Sequence, residues 1–333
     1  MTSTNPLSLE DIYHPIDAPL KKIPQGILDI LSGPNELAGD VIRYFFSAQG
    51  KLLRPALTLL GFKMAQGSSD LQNRTVYLAS AFEVFHSATL IHDDIIDSAY
   101  LRRNLPTLHI KWNPQIAVLV GDYLHDRAIE AILTHGNSAI LEKFLRTAGK
   151  VCDGEIHELK EKGNFKLSED EYVDIVDKKT AVLLACALQA GAVLAGASEA
   201  QAEALWNYGR YFGIAFQIID DCLDFTGQEQ EFGKTLGTDC LAGVLTLPLI
   251  QLLKVAGDKD RAEFLEVFDP AKQSQDKIAK VLSQIRQYKT IEYSLQKARE
   301  YCDKARRELS VFPDGDVKQS LLKLIDYVIE RNK

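Results

Sequence analysis

Apolar positions recur at three- and four-residue steps along most of the chain. Val317, Leu321, Leu324, Ile325 and Val328 share one helical face. So do Ile278, Val281, Leu282 and Ile285, and again Ala298, Tyr301, Ala305 and Leu309. Alternating runs of the strand kind are hard to find. Turn-forming clusters break the pattern at Ser32-Gly-Pro-Asn35, Gln66-Gly-Ser-Ser-Asp70, Asn113-Pro114, His135-Gly-Asn137, Lys162-Gly-Asn164, Phe268-Asp-Pro270 and Phe312-Pro-Asp-Gly315. The spacing between breaks suits helices of about ten to thirty residues. No Pro/Ser-rich linker and no solenoid repeat divides the chain. The pattern predicts an all-α protein folded as a single domain over residues 1–333, with a motif-bearing core at about 45–250 and C-terminal helices over 258–333.

One stretch, Thr180 to Ser198, runs 19 residues without a charge. It is rich in Ala and Gly, carries Gln189 and has few large apolar side chains, so it reads as a close-packed core helix rather than a membrane span.

Two acidic clusters interrupt the helical pattern. His92-Asp93-Asp94-Ile95-Ile96-Asp97 ends the apolar run from Ser80 to Ile91, and Asp220-Asp221-Cys222-Leu223-Asp224 follows Tyr211 to Gln217 in the same way. Each is D-D-x-x-D. On a helix Asp93 stacks with Asp97 and Asp220 with Asp224, so each pair repels unless a cation sits between. Mg²⁺ takes one or two carboxylates and completes its shell with water and substrate phosphate. With 26 aspartates in 333 residues, chance gives one such cluster in about one chain in six, and two in about one in a hundred. Two clusters therefore point to a phosphate-bearing substrate held between helices by several Mg²⁺ ions.

Composition narrows the partner. Hydrophobic residues make up 46%, charged residues 25%, and the net charge is −8. An acidic chain is a poor general nucleic-acid binder, so phosphate must meet local cations. Gly50-Lys51-Leu52-Leu53-Arg54-Pro55 sets Lys51 and Arg54 three apart at a helix start. Arg102-Arg103 follows the first cluster, Lys178-Lys179-Thr180 leads into the uncharged run, and Lys234 lies in the glycine-bearing stretch Gly233–Asp239, read as a mobile lid. Five scattered cysteines form no C-x-x-C pair and fit a reducing compartment, and the first residues carry no signal-peptide pattern, so the expected location is cytoplasmic.

Taken together, Gly50–Pro55, His86, the Asp93 cluster with Arg102-Arg103, Lys179-Thr180, Phe216-Gln217, the Asp220 cluster and Gly233–Asp239 resemble the trans-isoprenyl diphosphate synthases, or polyprenyl synthetases. The likeness runs from about Leu7 to Leu253. It implies a helical bundle of the isoprenoid synthase type with a central cavity, and a homodimer. The implied activity joins isopentenyl diphosphate head-to-tail to an allylic diphosphate by Mg²⁺-assisted ionisation, with three ions per site. Asp93, Asp97 and Asp220 would be the main metal ligands, supported by Asp94, Asp221 and Asp224. Arg102, Lys179, Thr180, Gln217 and Lys234 would hold the allylic diphosphate, and Lys51, Arg54, His86 and Arg103 the isopentenyl diphosphate. Without the resemblance, His86 reads as a core histidine.

Product would grow down the helix before Asp93, at 5.4 Å per turn. Ala88 and Thr89, one turn down, are small where farnesyl-type enzymes would carry an aromatic; Phe85 and Phe82 lie in the next turns as a candidate floor. The expected product lies between geranylgeranyl and octaprenyl. Each five-carbon unit adds ~4 kcal/mol of burial, so release slows with length and calls for transient membrane contact. Two positions depart from the family: Val244 stands where Lys is usual before Thr-Leu-Pro, and His125 and Asp126 are more polar than expected. The rival readings are a terpene cyclase or head-to-head condensing enzyme and a noncatalytic subunit of a heteromeric synthase. A cyclase usually lacks the second aspartate cluster, and a noncatalytic subunit typically loses aspartates; this chain keeps all six.

Overall fold

The computed structural model describes residues 7–33, 35–48, 50–226, 243–266 and 275–330. Helices of five residues or more are numbered in chain order. They are α1 (Leu9–Tyr13), α2 (Ile23–Ile30), α3 (Glu36–Phe46), α4 (Leu53–Met64), α5 (Gln72–Ile96), α6 (Pro114–His135), α7 (Ser138–Glu161) and α8 (Glu169–Val176). A π-helical turn, Asp177–Ala181, joins α8 to α9 (Val182–Leu194). Then follow α10 (Glu199–Thr226), α11 (Leu247–Val255), α12 (Asp258–Leu265), α13 (Gln275–Gln287), α14 (Thr290–Glu308) and α15 (Asp316–Glu330).

The turn clusters act as helix caps. The side chains of Asn35, Asn113 and Asn137 accept from the backbone N–H three residues on, starting α3, α6 and α7. Ser168 and Glu171 form a reciprocal capping box at α8. Each such cap is worth about 1 kcal/mol. The predicted break at Phe268–Pro270 lies outside the described residues.

The all-α expectation holds, and the strands among the described residues amount to one short hairpin. Leu101–Arg102 and Leu105–Pro106 pair as a two-stranded antiparallel hairpin. Its two central residues, Arg103 (φ 50°) and Asn104 (φ 63°), are both left-handed, which is what a tight primed turn requires.

The uncharged run is the buried α9, whose Val182 to Leu188 are all inaccessible or nearly so. No helix among the described residues is long and apolar enough to cross a membrane. α9 crosses α4 at backbone contact: a Cβ on Gly191 would lie 1.9 Å from the Thr58 carbonyl oxygen, and one on Gly61 2.0 Å from that of Leu188. Gly191→Ala should therefore destabilise the protein by about 1–3 kcal/mol, visible as a lowered midpoint in thermal or urea unfolding.

The main core runs through α4, α5, α9, α10, α14 and α15, and Tyr208 of α10 donates to the Leu321 carbonyl at 2.7 Å, tying α15 to it. A smaller cluster, built around Phe225, Leu249, Phe264 and Val281, joins α10 to α11, α12 and α13. This packing fixes α5 and α10, the two helices that end in aspartate clusters.

Candidate active site

Two cavities meet at Thr180, which borders both. The first, about 400 Å³, is lined by Lys51, Arg54, Glu83, His86 and Arg103 on its polar side. Leu184, Phe212 and Phe216 form an apolar wall, and both chain ends close it through Leu9, Tyr13 and Tyr327. The structure thus gathers all four residues expected to bind isopentenyl diphosphate. Arg54, in the first turn of α4, is the most constrained: its Nε is buried and has no partner. Burial lowers its guanidinium to about 10, against the pull of Glu83 and Asp93. Leu52 caps α4 in the left-handed region (φ 51°), a strained backbone at the cavity edge. Burial, followed by Arg54, Arg102 and Arg103, holds His86 well below the usual imidazole range, so it is neutral.

The second cavity, about 530 Å³, is bordered by Asp97 of the first cluster and Asp221 of the second. Lys179, Thr180 and Gln217 line it as well. Lys179 is clasped by Glu155 at 2.9 Å and by Glu158. Thr180 donates to Gln217 Oε1 at 3.0 Å, and Gln217 Nε2 donates to Asp221 at 2.8 Å. Tyr172 also donates to Asp221, at 2.5 Å. Arg102 Nε donates to both oxygens of Asp94, at 2.8 and 2.9 Å. Asp94 and Asp221 are therefore engaged by protein donors, while Asp97 and Asp220 are exposed. Arg103 turns the other way and donates to the Ala48 carbonyl at 2.6 Å. Lys234 lies outside the described residues.

The carboxylates crowd one another. Burial raises Asp93 to about 7, with Glu155 and Asp97 adding to the rise and Lys179 and Arg102 opposing it. Burial also raises Asp221 to about 7, against its two hydrogen bonds. Glu155 keeps one buried oxygen without a partner. An all-oxygen donor set with surplus negative charge fits a hard cation such as magnesium. Among the described residues no three His, Cys, Asp or Glu side chains converge closely enough to hold an ion by themselves. A shared diphosphate would supply the remaining oxygens.

The chain-length positions border neither cavity. Ala88 is buried, and the Thr89 hydroxyl donates to the His86 carbonyl at 2.8 Å. Below them Phe82 and Phe85 meet Phe144 of α7 edge to face, at 5.7 and 4.9 Å between ring centroids. His125 of α6 packs against Phe85 at 5.6 Å, while Asp126 is exposed. Val244 does border the second cavity, and Lys162 lines the same wall.

Sequence reasoning missed Glu83, Phe144, Glu155, Glu158, Lys162 and Tyr172. Glu83 sits three residues before His86, inside an apolar run, and a charge there was a usable signal. Glu155 and Glu158 share a face of α7, the one hint that a carboxylate pair faces inward.

Carboxylates of both clusters, a cation-lined pocket and an apolar wall thus lie together on an α-helical scaffold. The model of the family described as "Polyprenyl synthetase" matches residues 35–285. The octaprenyl diphosphate synthase of Haemophilus influenzae is 30% identical over 98% of this chain and 98% of its own. Component 2 of the Bacillus subtilis heptaprenyl diphosphate synthase is 35% identical over 86% of this chain and 81% of its own. Among solved structures, the polyprenyl synthase of Caulobacter crescentus CB15, complexed with calcium and isoprenyl diphosphate, superposes with a TM-score of 0.92 at 31% identity. That match covers 99% of this chain and 100% of the other. The chain belongs to the polyprenyl synthetase family, and it is a prenyl transferase with the all-α isoprenoid synthase fold.

Proposed function

We propose that the protein joins isopentenyl diphosphate head-to-tail to an allylic diphosphate, giving a linear trans-polyprenyl diphosphate between geranylgeranyl and octaprenyl length. The observation that carries this is the meeting of the two cavities at Thr180, one cation-lined and one carboxylate-lined. Two diphosphates seated in them bring their hydrocarbon ends together.

Asp93, Asp97 and Asp220 would hold magnesium, with Asp224 beside them and Asp94 and Asp221 orienting Arg102 and Gln217. Magnesium, three ions in this reading, neutralises the charge on the departing diphosphate when bound. Lys179, Thr180, Gln217, Arg102 and Lys234 orient the allylic diphosphate. Lys51, Arg54, Arg103 and neutral His86 hold isopentenyl diphosphate with its double bond toward the allylic carbon. The allylic C–O bond breaks, the double bond attacks the carbocation, and a proton leaves to the departed diphosphate. Phe212, Phe216 and Leu184 exclude water from the cation.

Product analysis tests this. Purified protein is given magnesium, labelled isopentenyl diphosphate and dimethylallyl, geranyl or farnesyl diphosphate, and chain length is read after phosphatase treatment. A linear ladder ending at one length is expected. No incorporation with any primer would overturn the reading. Phe82 and Phe85, with Phe144 and His125 packed against them, border neither cavity. They are the floor that a chain growing down α5 would reach, so Phe85→Ala should extend the product by at least one five-carbon unit. That change costs about 3–5 kcal/mol of stability, so the milder Phe85→Leu should be run beside it.

The assembly we propose is a homodimer. Leu145, Ile156 and Leu159, with the exposed Cys152 between them, form an exposed apolar stripe along α7 that supports it. Light scattering should give twice the 37.1 kDa chain mass. The proposed place of action is the cytoplasm, supported by cysteine usage, with transient membrane contact for releasing long products.

A further inference from the structure

Lys179 and Thr180 do not sit in an α-helical turn. They lie in the π turn Asp177–Ala181, where the Val182 N–H donates to the Asp177 carbonyl five residues back. Such turns are rare, and they occur mostly as single bulges where function needs them. Here the turn sends three successive side chains three ways. Lys178 goes outward to Asp153 at 3.0 Å and Asp174 at 2.8 Å. Lys179 goes to Glu155 and Glu158 beside the second cavity, and Thr180 goes to Gln217 where the cavities meet.

The surroundings hold this turn open. Arg210 of α10 donates from Nε to Asp177 Oδ1 at 2.9 Å and from Nη2 to Oδ2 at 2.5 Å. Asp177 thus accepts the π-turn bond on its carbonyl and the guanidinium fork on its carboxylate. Glycines admit the widened backbone on both sides. A Cβ on Gly154 of α7 would lie 2.7 Å from the Lys179 nitrogen, and one on Gly213 of α10 2.5 Å from the Ala181 Cα. Arg210, Gly213 and Gln217 follow at helical steps. One face of α10 therefore meets Asp177, Ala181 and Thr180 together.

We propose that Arg210 is a positioning residue for prenyl transfer: its bidentate grip on Asp177 holds the π turn that aims Lys179 and Thr180 at the allylic diphosphate. Neither Arg210 nor Asp177 lines either cavity, so neither touches substrate. Without the fork the turn loses its hold on Asp177 while α9 stays locked in the core, and the Lys179 and Thr180 side chains within the turn shift off the diphosphate. This inference rests on the reaction proposed above.

The test is steady-state kinetics with each substrate varied separately, on the full-length wild type, Arg210→Ala, Arg210→Lys and Asp177→Asn, with thermal melts alongside. In Arg210→Ala, kcat/KM for the allylic diphosphate should fall on the order of 10²-fold, and KM for isopentenyl diphosphate should change less than about twofold. Arg210→Lys keeps the charge but not the fork, so it should recover only part of the loss. The double variant Arg210→Ala/Asp177→Asn should lose no more than Arg210→Ala alone, because both remove one contact. If Arg210→Ala fails to fold, the Lys and Asn variants carry the same comparison. A folded variant with wild-type allylic kcat/KM would overturn the proposal. So would an equal loss against both substrates accompanied by a lowered melting point. An inactive wild type would instead overturn the reaction itself, and is recognised as such because the loss is not confined to the variants.

Discussion

Asp93→Asn should remove most of the catalysis while leaving the fold intact, lowering kcat on the order of 10³-fold with both substrates saturating. Asp93 is half-buried at the end of α5, between Glu155 and Asp97, and burial with these neighbours raises its carboxyl to about 7. A carboxylate in that position costs the folded protein free energy unless a cation offsets it. The amide relieves the repulsion and keeps the shape. In metal-free buffer the variant should therefore melt no lower than the wild type. Magnesium with inorganic diphosphate should raise the wild-type midpoint, since whatever binds only the folded state stabilises it. That rise should largely vanish in Asp93→Asn. The fully exposed Asp258 supplies the control, since Asp258→Asn should change neither activity nor melting. Unaltered magnesium dependence of turnover in Asp93→Asn would remove Asp93 from the site.

The features legible in the sequence were those with a local signature. The two aspartate clusters could be placed because each ends an apolar run, and α5 and α10 end at those positions. The buried α9 was legible because it carries no charge for 13 residues. The family match adds roles that spacing alone leaves open, as for His86. What stayed hidden depends on backbone geometry or on partners far away in the chain. Arg103 occupies a left-handed turn position that arginine seldom takes, so no turn signal marked the hairpin. The π turn has no side-chain signature; its cause lies in Arg210, 33 residues further on. Phe144 packs edge to face on Phe85 from a different helix. Glu155 and Glu158 went unread because the Lys179 that sits between them comes from a different element. The sequence treated Asp94 only as a metal-supporting carboxylate, whereas the fold closes it on Arg102. A helix-face argument finds which residues share a side, but not which of them already has a partner.

Arg54→Leu should raise KM for isopentenyl diphosphate on the order of 10²-fold, because truncating one partner of a desolvated charge pair costs about 2–5 kcal/mol. KM for the allylic diphosphate should stay within about twofold. Arg54 differs from the exposed Lys51 and Arg103 of its cavity in being half-buried, with its Nε fully buried and unpartnered and its guanidinium lowered to about 10. A donor held that way has already given up its water before substrate arrives. An incoming diphosphate therefore gains the full charge-assisted bond with little further desolvation on the protein side. Lys51 is exposed and Arg103 already donates to the Ala48 carbonyl, so neither takes over that role. Arg54→Lys should restore only part of the affinity, because an ammonium is a point charge and cannot present the fork. Stabilisation of the folded protein by added isopentenyl diphosphate should shrink sharply in Arg54→Leu. A matched rise in KM for both substrates would show instead that the two cavities do not divide the substrates between them. The acceptor site would then have to be sought away from α4.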